Sequence, residues 1–195
     1  NTVFEDSVAT SAESNNESWL HGASTLAPIP DLEVRNVVAT PQTDLRTGDT
    51  VTLQWSTLNS GTRSASGTWT ERVTLVNTTT GQTLLTRDVL FDATIPLEAG
   101  AARDQQLTLA IPDGNASVGS LRFTVVTDVT NQLAEDNASS TGEANNSGNL
   151  LLMVSLAPYP DLAVSNVLAP TLTVSDPAVV TVSWRVKNVG AKSTG

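Results

Sequence analysis

The sequence predicts an all-β protein whose module is an antiparallel β-sandwich of about seven strands, of the immunoglobulin or fibronectin type III kind. The module is predicted to repeat in tandem with a period of roughly 130 residues. Three observations support this: apolar residues recur at every second position, turn-forming residues separate the apolar segments, and part of the sequence occurs twice. Alternation places one face of a segment in a core and the other in water, which is typical of antiparallel sheets. No segment sustains the 3.6-residue period of a helix.

The predicted strands follow one another along the chain with turn signals between them. In order they are Asp31 to Val38; Val51, Leu53 and Trp55; Trp69, Val73 and Leu75; Leu84 to Phe91; Leu107, Leu109 and Ile111; Leu121, Phe123 and Val125; and Leu152, Val154 and Leu156. The turn signals between them are Asn59-Ser60-Gly61, Asn77 to Gly81, Glu98-Ala99-Gly100 and Pro112 to Asn115. Because Trp55 and Trp69 are in phase with apolar neighbours, we predict that both are core residues.

Residues 131–166 repeat residues 1–36 at a constant offset of 130, and the repeat then continues at an offset of 129, which aligns Trp184 with Trp55. Self-similarity at a fixed period indicates an array of modules. We therefore expect the C-terminal end of a preceding repeat in residues 1–27, one complete repeat in residues 28–157, and the N-terminal part of a following repeat in residues 158–195. By the same alignment Trp184 is predicted to be a core residue.

A short proline-rich segment lies between the last predicted strand of one module and the first predicted strand of the next. Prolines at alternate positions fix their own φ near −65° and favour extended geometry in the residues before them, so such a segment is stiff. We predict that these segments form the inter-repeat junctions. Their residues are Pro28, Pro30 and Asp31 in the first segment, and Pro158, Pro160 and Asp161 in the second.

Composition excludes several classes of partner. The chain has 20 acidic and 10 basic residues, a net charge of −10, which repels phosphate backbones, so we expect no nucleic acid partner. The longest apolar run, Leu150 to Ala157, is far shorter than the roughly 20 residues of a membrane helix, so we expect no membrane insertion. There is no cysteine, which excludes disulfides and thiolate chemistry.

The residues needed for catalysis are missing from the sequence. His21 is the only histidine, and its counterpart in the second copy is Leu151, so no Ser-His or Cys-His pair can form. Zinc is excluded on the same ground. The acidic residues lie among prolines and turn residues, with no sign of an apolar pocket in which two carboxylates could hydrolyse a substrate. We predict that the protein is not an enzyme and assign no catalytic residue.

One polar cluster recurs in both copies and is the candidate metal site. Carboxylate and amide oxygens gathered in the loop before the last strand would suit calcium, which takes 6 to 8 oxygen ligands. The same residues could instead organise turns, because Asn and Asp side chains bond to nearby backbone; the sequence leaves both interpretations open. The predicted ligands are Asp128, Asn131, Glu135, Glu143, Asn145 and Asn146, beside Asp136, and their counterparts include Asn1, Glu5, Asp6, Glu13, Asn15 and Asn16.

The order and spacing of these landmarks resemble the CARDB family, a bacterial cell-adhesion-related domain found in tandem in large secreted and surface proteins. The matching motifs are Pro30-Asp31-Leu32-x-Val34, Val51-x-Leu53-x-Trp55-x-x-x-Asn59-x-Gly61, Trp69-x-x-x-Val73-x-Leu75, and Asp128-x-x-Asn131-x-x-x-Glu135 followed by Glu143-x-Asn145-Asn146. The resemblance implies a β-sandwich, an extracellular or cell-surface location, and a role in adhesion or spacing. Many relatives carry an acidic loop where this chain has Val76 to Gly81, so an ion site is not expected there.

We expect the chain to be a structural spacer module of a large repetitive adhesin or fibre, stiffened by its junctions and by calcium. Its partners would be adjacent repeats or identical neighbouring chains, with a cell-surface or glycan ligand bound through other domains. Two alternatives remain open. One is an extracellular filament assembled by β-strand exchange, because Val180, Val182, Trp184 and Val186 form an apolar face. The other is a carbohydrate-binding or partner-binding module that uses an exposed aromatic residue, with Trp19, Trp69 and Tyr159 as candidates.

Overall fold

The structure, a computed structural model, describes residues 18–25, 27–172 and 174–195. The counterparts of the metal cluster, Asn1, Glu5, Asp6, Glu13, Asn15 and Asn16, therefore lie outside the described residues. The strands are β1 (Leu32–Thr40), β2 (Leu45–Arg46), β3 (Thr50–Asn59), β4 (Ala65–Asn77), β5 (Thr83–Leu97), β6 (Ala102–Ala110), β7 (Gly119–Val126), β8 (Ser147–Ser155), β9 (Leu162–Leu168) and β10 (Ser183–Asn188). The all-β prediction is confirmed.

The first eight strands form two sheets. One sheet has the order β1-β3-β6, and the other has the order β2-β8-β7-β4-β5. All neighbours are antiparallel except β2, which pairs with β8 in parallel through two residues. The sequence pattern did not indicate β2, because a strand of two residues with one inward side chain, Leu45, shows no alternation.

The main core lies between the two sheets. It is formed by the apolar residues that alternate along the strands. Val51, Leu53 and Trp55 of β3 are at most 1% exposed and pack with inward residues of β4 and β7, including Val73 and Phe123. Each fully buried side chain of this size contributes about 1.5–3 kcal/mol relative to an exposed one. The two sheets therefore form a β-sandwich, and Trp55 is a core residue as predicted.

A second apolar cluster contains Leu32, Trp69, Phe91 and Leu97. The Trp69 and Phe91 rings stack with centroids 4.3 Å apart and planes 9° from parallel. The Arg103 guanidinium lies over the Phe91 ring, 5.2 Å from its centroid. Trp69 is 1% exposed, so it is a core residue as predicted and is not an exposed surface for a ligand.

Strands β9 and β10 form a separate antiparallel two-stranded sheet. Trp184 of β10 is 61% exposed, because among the described residues no second sheet packs on this hairpin as the β4 and β7 strands pack on Trp55. Its core role in a complete following repeat stays a prediction. None of the described residues belongs to a helix long and apolar enough to cross a membrane.

Candidate functional site

The candidate site is the loop between β7 and β8, which covers the start of β1. Asp128 lies at its beginning and is 1% exposed. Its Oδ1 accepts a hydrogen bond from the Gln132 N–H (2.9 Å) and its Oδ2 accepts one from the Leu133 N–H (2.7 Å). Both oxygens of this carboxylate are thus engaged by loop backbone, which is how an aspartate organises a turn.

Glu135 ties the loop to the sandwich. Glu135 is 8% exposed, and its Oε2 accepts a hydrogen bond from the Leu32 N–H of β1 at 2.6 Å. Burial is the main cause that raises the pKa of Glu135 to about 8; the hydrogen bond from the Leu32 N–H lowers the pKa, and the negative charges of Glu143 and Asp128 raise it. The Glu135 carboxyl is therefore largely protonated at neutral pH.

The side-chain amide of Asn146 faces Glu135 at a distance of 3.4 Å from Oε1. Three acceptors surround the other atom of this amide, namely the carbonyl oxygens of Leu32 and Gly142 and the Oδ1 of Asn145, at 2.5–3.2 Å. These three acceptors can be satisfied only if the NH₂ group of Asn146 points toward them. The orientation with the NH₂ group toward Glu135 would leave them facing the amide oxygen, so it is rejected. The amide oxygen of Asn146 consequently faces Glu135 Oε1, and two facing oxygens need a proton or a cation between them.

Asp31, the acid of the first junction, is also part of this region. The residue is 4% exposed, and its carboxylate accepts hydrogen bonds from Ser60 Oγ (2.8 Å), Asn137 Nδ2 (3.1 Å) and Asn145 Nδ2 (2.9 Å). Pro30 is buried beside it, whereas Pro28 is exposed. The first junction segment is thus bonded into the sandwich from Pro30 onward.

The residues of the second junction have a different environment. Pro158 is half-buried, while Pro160 and Asp161 are exposed. The Asp161 N–H nevertheless donates to Asn188 Oδ1 (2.9 Å), as the Asp31 N–H donates to Asn59 Oδ1 (3.2 Å). The backbone of both junction segments is therefore held by an asparagine of the adjoining hairpin.

The six predicted metal ligands do not form one coordination shell. Asn131 and Glu143 are exposed, and the oxygens of Asp128 are already bonded to backbone. Across the part of the chain that the structure describes, no group of three or more His, Asp or Glu side chains is arranged to hold a metal ion. Only Glu135 and Asn146 present facing oxygens, so the full calcium shell predicted from the sequence does not fit this geometry.

Sequence reasoning missed Glu71, a buried carboxyl group between the two sheets. Glu71 is 0% exposed; its Oε2 accepts from Trp55 Nε1 (2.8 Å), and its Oε1 accepts from the hydroxyls of Thr57 and Thr127. Thr127 in turn accepts from Trp69 Nε1 (3.0 Å), so the network joins both core tryptophans. Burial raises the pKa of Glu71 despite these three hydrogen bonds. The available signal was its position in phase between Trp69 and Val73.

The fold and this loop define a β-sandwich module whose long loop before the last strand is bonded to the first strand. The model of the CARDB family matches residues 29–149, which is more than half of the chain, so the chain belongs to the CARDB family. A comparison with curated proteins finds no match.

Among solved structures, the chain is similar to the CARDB domain of a Pyrococcus furiosus protein. The crystal structure of that domain, in complex with di-metal ions, has 18% identity and a TM-score of 0.47, and the match covers 68% of this chain and 100% of the domain. The solution structure of the same domain has 19% identity and a TM-score of 0.44, with coverage of 66% and 97%. A β-glucosidase from Erythrobacter marinus matches at 13% identity and a TM-score of 0.41, over 65% of this chain and 16% of the enzyme.

Proposed function

We propose that the chain is a structural spacer of a large repetitive protein at the cell surface or outside the cell, with modules of immunoglobulin-like or fibronectin type III-like topology in tandem. In this proposal residues 1–27 end one repeat, residues 28–157 form a complete one, and residues 158–195 begin the next. Its partners are neighbouring repeats, and it has no catalytic role. The CARDB family and the absence of cysteine and of a second histidine support this proposal.

One observation carries the proposal: the junction segments are bonded to the hairpins that follow them. The Thr62 N–H donates to the Ile29 carbonyl oxygen, and the Ala191 N–H donates to the Tyr159 carbonyl oxygen, both at 3.0 Å. Together with the bonds to Asp31 and Asp161, these contacts make each junction part of a folded unit. A short, fixed junction holds modules at a set distance, whereas a binding module on a flexible linker would not need one.

Small-angle X-ray scattering on a chain of three or more consecutive modules tests the proposal. We expect an elongated particle whose maximum dimension grows with the number of modules. A matched variant, in which each Pro-x-Pro segment is replaced by Gly and Ser, should be shorter on average. A compact particle from the parent array would contradict the spacer function, and a mass that rises with concentration would favour a filament assembled by strand exchange.

We propose, second, that calcium binds at Glu135 Oε1 and the amide oxygen of Asn146, with water completing its coordination. The facing oxygens of these residues support this narrower site, since oxygens that share a Ca²⁺ ion each lie about 2.3–2.6 Å from it. Calcium would bind the ionised carboxylate and bridge the loop to the start of β1. In this proposal Asp128 and Asn145 do not bind calcium, because their side chains form hydrogen bonds within the protein.

Thermal unfolding with and without calcium tests this second proposal. Excess calcium should raise the Tm of the parent chain, because a ligand that binds only the folded state stabilises it. Glu135→Gln should abolish the shift, while Asn131→Ala, which changes an exposed residue of the same loop, should retain it. An equal Tm of the parent with and without calcium would contradict the site.

A further inference from the structure

We propose that the loops after β2 and β6 of the complete sandwich form a socket for Tyr159. The tyrosine hydroxyl bound in this socket fixes the direction of the following β9–β10 hairpin relative to the sandwich. This inference rests on the proposed spacer function and adds to it an interface between successive modules. The socket is defined by Thr47 and Gly48, which follow β2, and by Asp113 and Gly114, which follow β6.

The hydroxyl of Tyr159 uses its full hydrogen-bonding capacity in the socket. It donates to Asp113 Oδ1 at 2.8 Å and accepts from the Gly114 N–H at 3.3 Å. Thr47 Oγ1 lies 2.8 Å away and acts as the second donor, because the single proton of the Tyr159 hydroxyl is already donated to Asp113; Thr47 Oγ1 itself accepts a hydrogen bond from the Ala157 N–H at 3.1 Å. A hydroxyl has one donor and two acceptor positions, and all are filled here.

The socket is a rigid part of the sandwich. Thr47 is 2% exposed, and its N–H donates to the Ser155 carbonyl oxygen of β8 (3.0 Å). The Gly48 N–H donates to the Ile111 carbonyl oxygen at 2.9 Å. At Gly48, which has a φ of 87°, an added Cβ would strain the backbone and lie 2.6 Å from Asp113 Oδ1, so it would displace the carboxylate that accepts from Tyr159.

Tyr159 is bonded to the following hairpin through its backbone. Its carbonyl oxygen accepts from the N–H groups of Ala191 and Lys192 at 3.0 and 3.3 Å. A single residue therefore contacts the complete sandwich with its side chain and the β9–β10 hairpin with its backbone. Rotation of the hairpin about the Pro158–Pro160 segment would break the three hydroxyl contacts.

The equivalent residue of the first junction is Ile29, which has the same backbone bond, to Thr62, but no hydroxyl. An isoleucine at this position cannot donate to an aspartate or accept from a loop N–H. In this proposal a junction with tyrosine is therefore stiffer than a junction with isoleucine.

Residual dipolar couplings on the 195-residue chain test this inference. In the parent, amides of β1–β8 and of β9–β10 should fit one alignment tensor. Tyr159→Phe and Thr47→Val each remove hydroxyl contacts in the socket, so the hairpin should move relative to the sandwich. In each variant the couplings of the β9–β10 amides should then fit an alignment tensor of smaller magnitude than that of the β1–β8 amides. Thr52→Val, which changes a hydroxyl on the solvent face of β3, is the control and should leave one common tensor.

Separate tensors in the parent, or one common tensor in both Tyr159→Phe and Thr47→Val, would overturn the socket. Exchange protection of the Val189 and Ala191 amides reports whether the hairpin is folded in each variant. If Tyr159→Phe unfolds the hairpin, Thr47→Val decides the outcome, since it leaves Tyr159 intact. A compact three-module particle in scattering would contradict the spacer function while leaving this result unchanged.

Discussion

The β1–β3 hairpin and the β9–β10 hairpin have the same local structure in different surroundings. Residues 183 and 185–188 of β10 pair with β9 in the same register in which residues 54 and 56–59 of β3 pair with β1. Both first strands bulge at an asparagine with positive φ, 55° at Asn36 and 53° at Asn166. Asparagine tolerates this conformation better than most residues, which suits it to a bulge.

The two hairpins differ in what covers them. Trp55 is 1% exposed and Trp184 is 61% exposed, although the two residues occupy equivalent positions. The β3 strand begins at Thr50, whereas β10 begins at Ser183, so Val180 and Val182 precede the strand. Local sequence therefore defines the register of the two paired strands. In the complete sandwich, β6 pairs with β3 from Thr50 onward, and the facing sheet buries the apolar side chains of β3.

The largest expected effect comes from truncating the two equivalent tryptophans. Trp55→Ala should lower the free energy of unfolding by about 3–5 kcal/mol, because it leaves a cavity in a packed core. Trp184→Ala should change it by less than about 0.5 kcal/mol, as is usual for an exposed position. Denaturant unfolding of the 195-residue chain, followed by circular dichroism, measures both. Equal losses would mean that Trp184 is covered in solution and would remove the contrast between the hairpins.

A smaller effect is expected from the asparagines that hold the junction backbone. Asn59 is 0% exposed; its Oδ1 accepts from the Asp31 and Gly61 N–H groups, and its Nδ2 donates to the Arg63 and Leu97 carbonyl oxygens. Asn59→Ala leaves these buried groups without partners and should cost roughly 1–3 kcal/mol of unfolding free energy.

The matched variant of the second hairpin is Asn188→Ala. Asn188 bonds to Asp161, Gly190 and Lys192 in the same pattern, but in the part of the chain that the structure describes no sheet covers its hairpin. We expect faster hydrogen exchange at the Asp161 and Gly190 amides and no change in the main unfolding transition. A loss of global stability as large as that of Asn59→Ala would show that the hairpin and the sandwich unfold as one unit.

Alternation and turn residues were sufficient to predict the sandwich and its core tryptophans, because inward side chains recur at every second position. They were not sufficient for the loop before β8. Asp128 can bind a metal only if its carboxylate oxygens do not accept hydrogen bonds from the Gln132 and Leu133 N–H groups. The direction of these N–H groups is set by the folded loop and cannot be read from the sequence. The core carboxyl of Glu71 has a sequence signal, its phase between Trp69 and Val73, but an acidic residue in phase is normally assigned to the solvent face.

Glu71, which accepts a hydrogen bond from Trp55 Nε1, gives the last of the expected differences, a pH dependence of the stability of the sandwich. Burial raises the pKa of Glu71 above its ordinary value of 4.5, so the folded state holds a proton that the unfolded state releases. Its contribution to stability is therefore fully present below pH 4.5 and is lost as the pH rises through the folded-state pKa. Within that window the unfolding free energy falls by about 1.4 kcal/mol per pH unit.

Glu71→Gln isolates this contribution, because glutamine keeps an acceptor for Trp55 Nε1 and offers its NH₂ group to the hydroxyl of Thr57. Glu135 is present in both proteins, and its raised pKa gives both the same additional decline toward pH 8. We therefore expect the advantage of Glu71→Gln over the parent to grow as the pH rises above 4.5, in denaturant unfolding across this range. If the unfolding free energies of the parent and of Glu71→Gln change with pH in parallel, Glu71 is ionised in the folded core, and its three hydrogen bonds stabilise the charge.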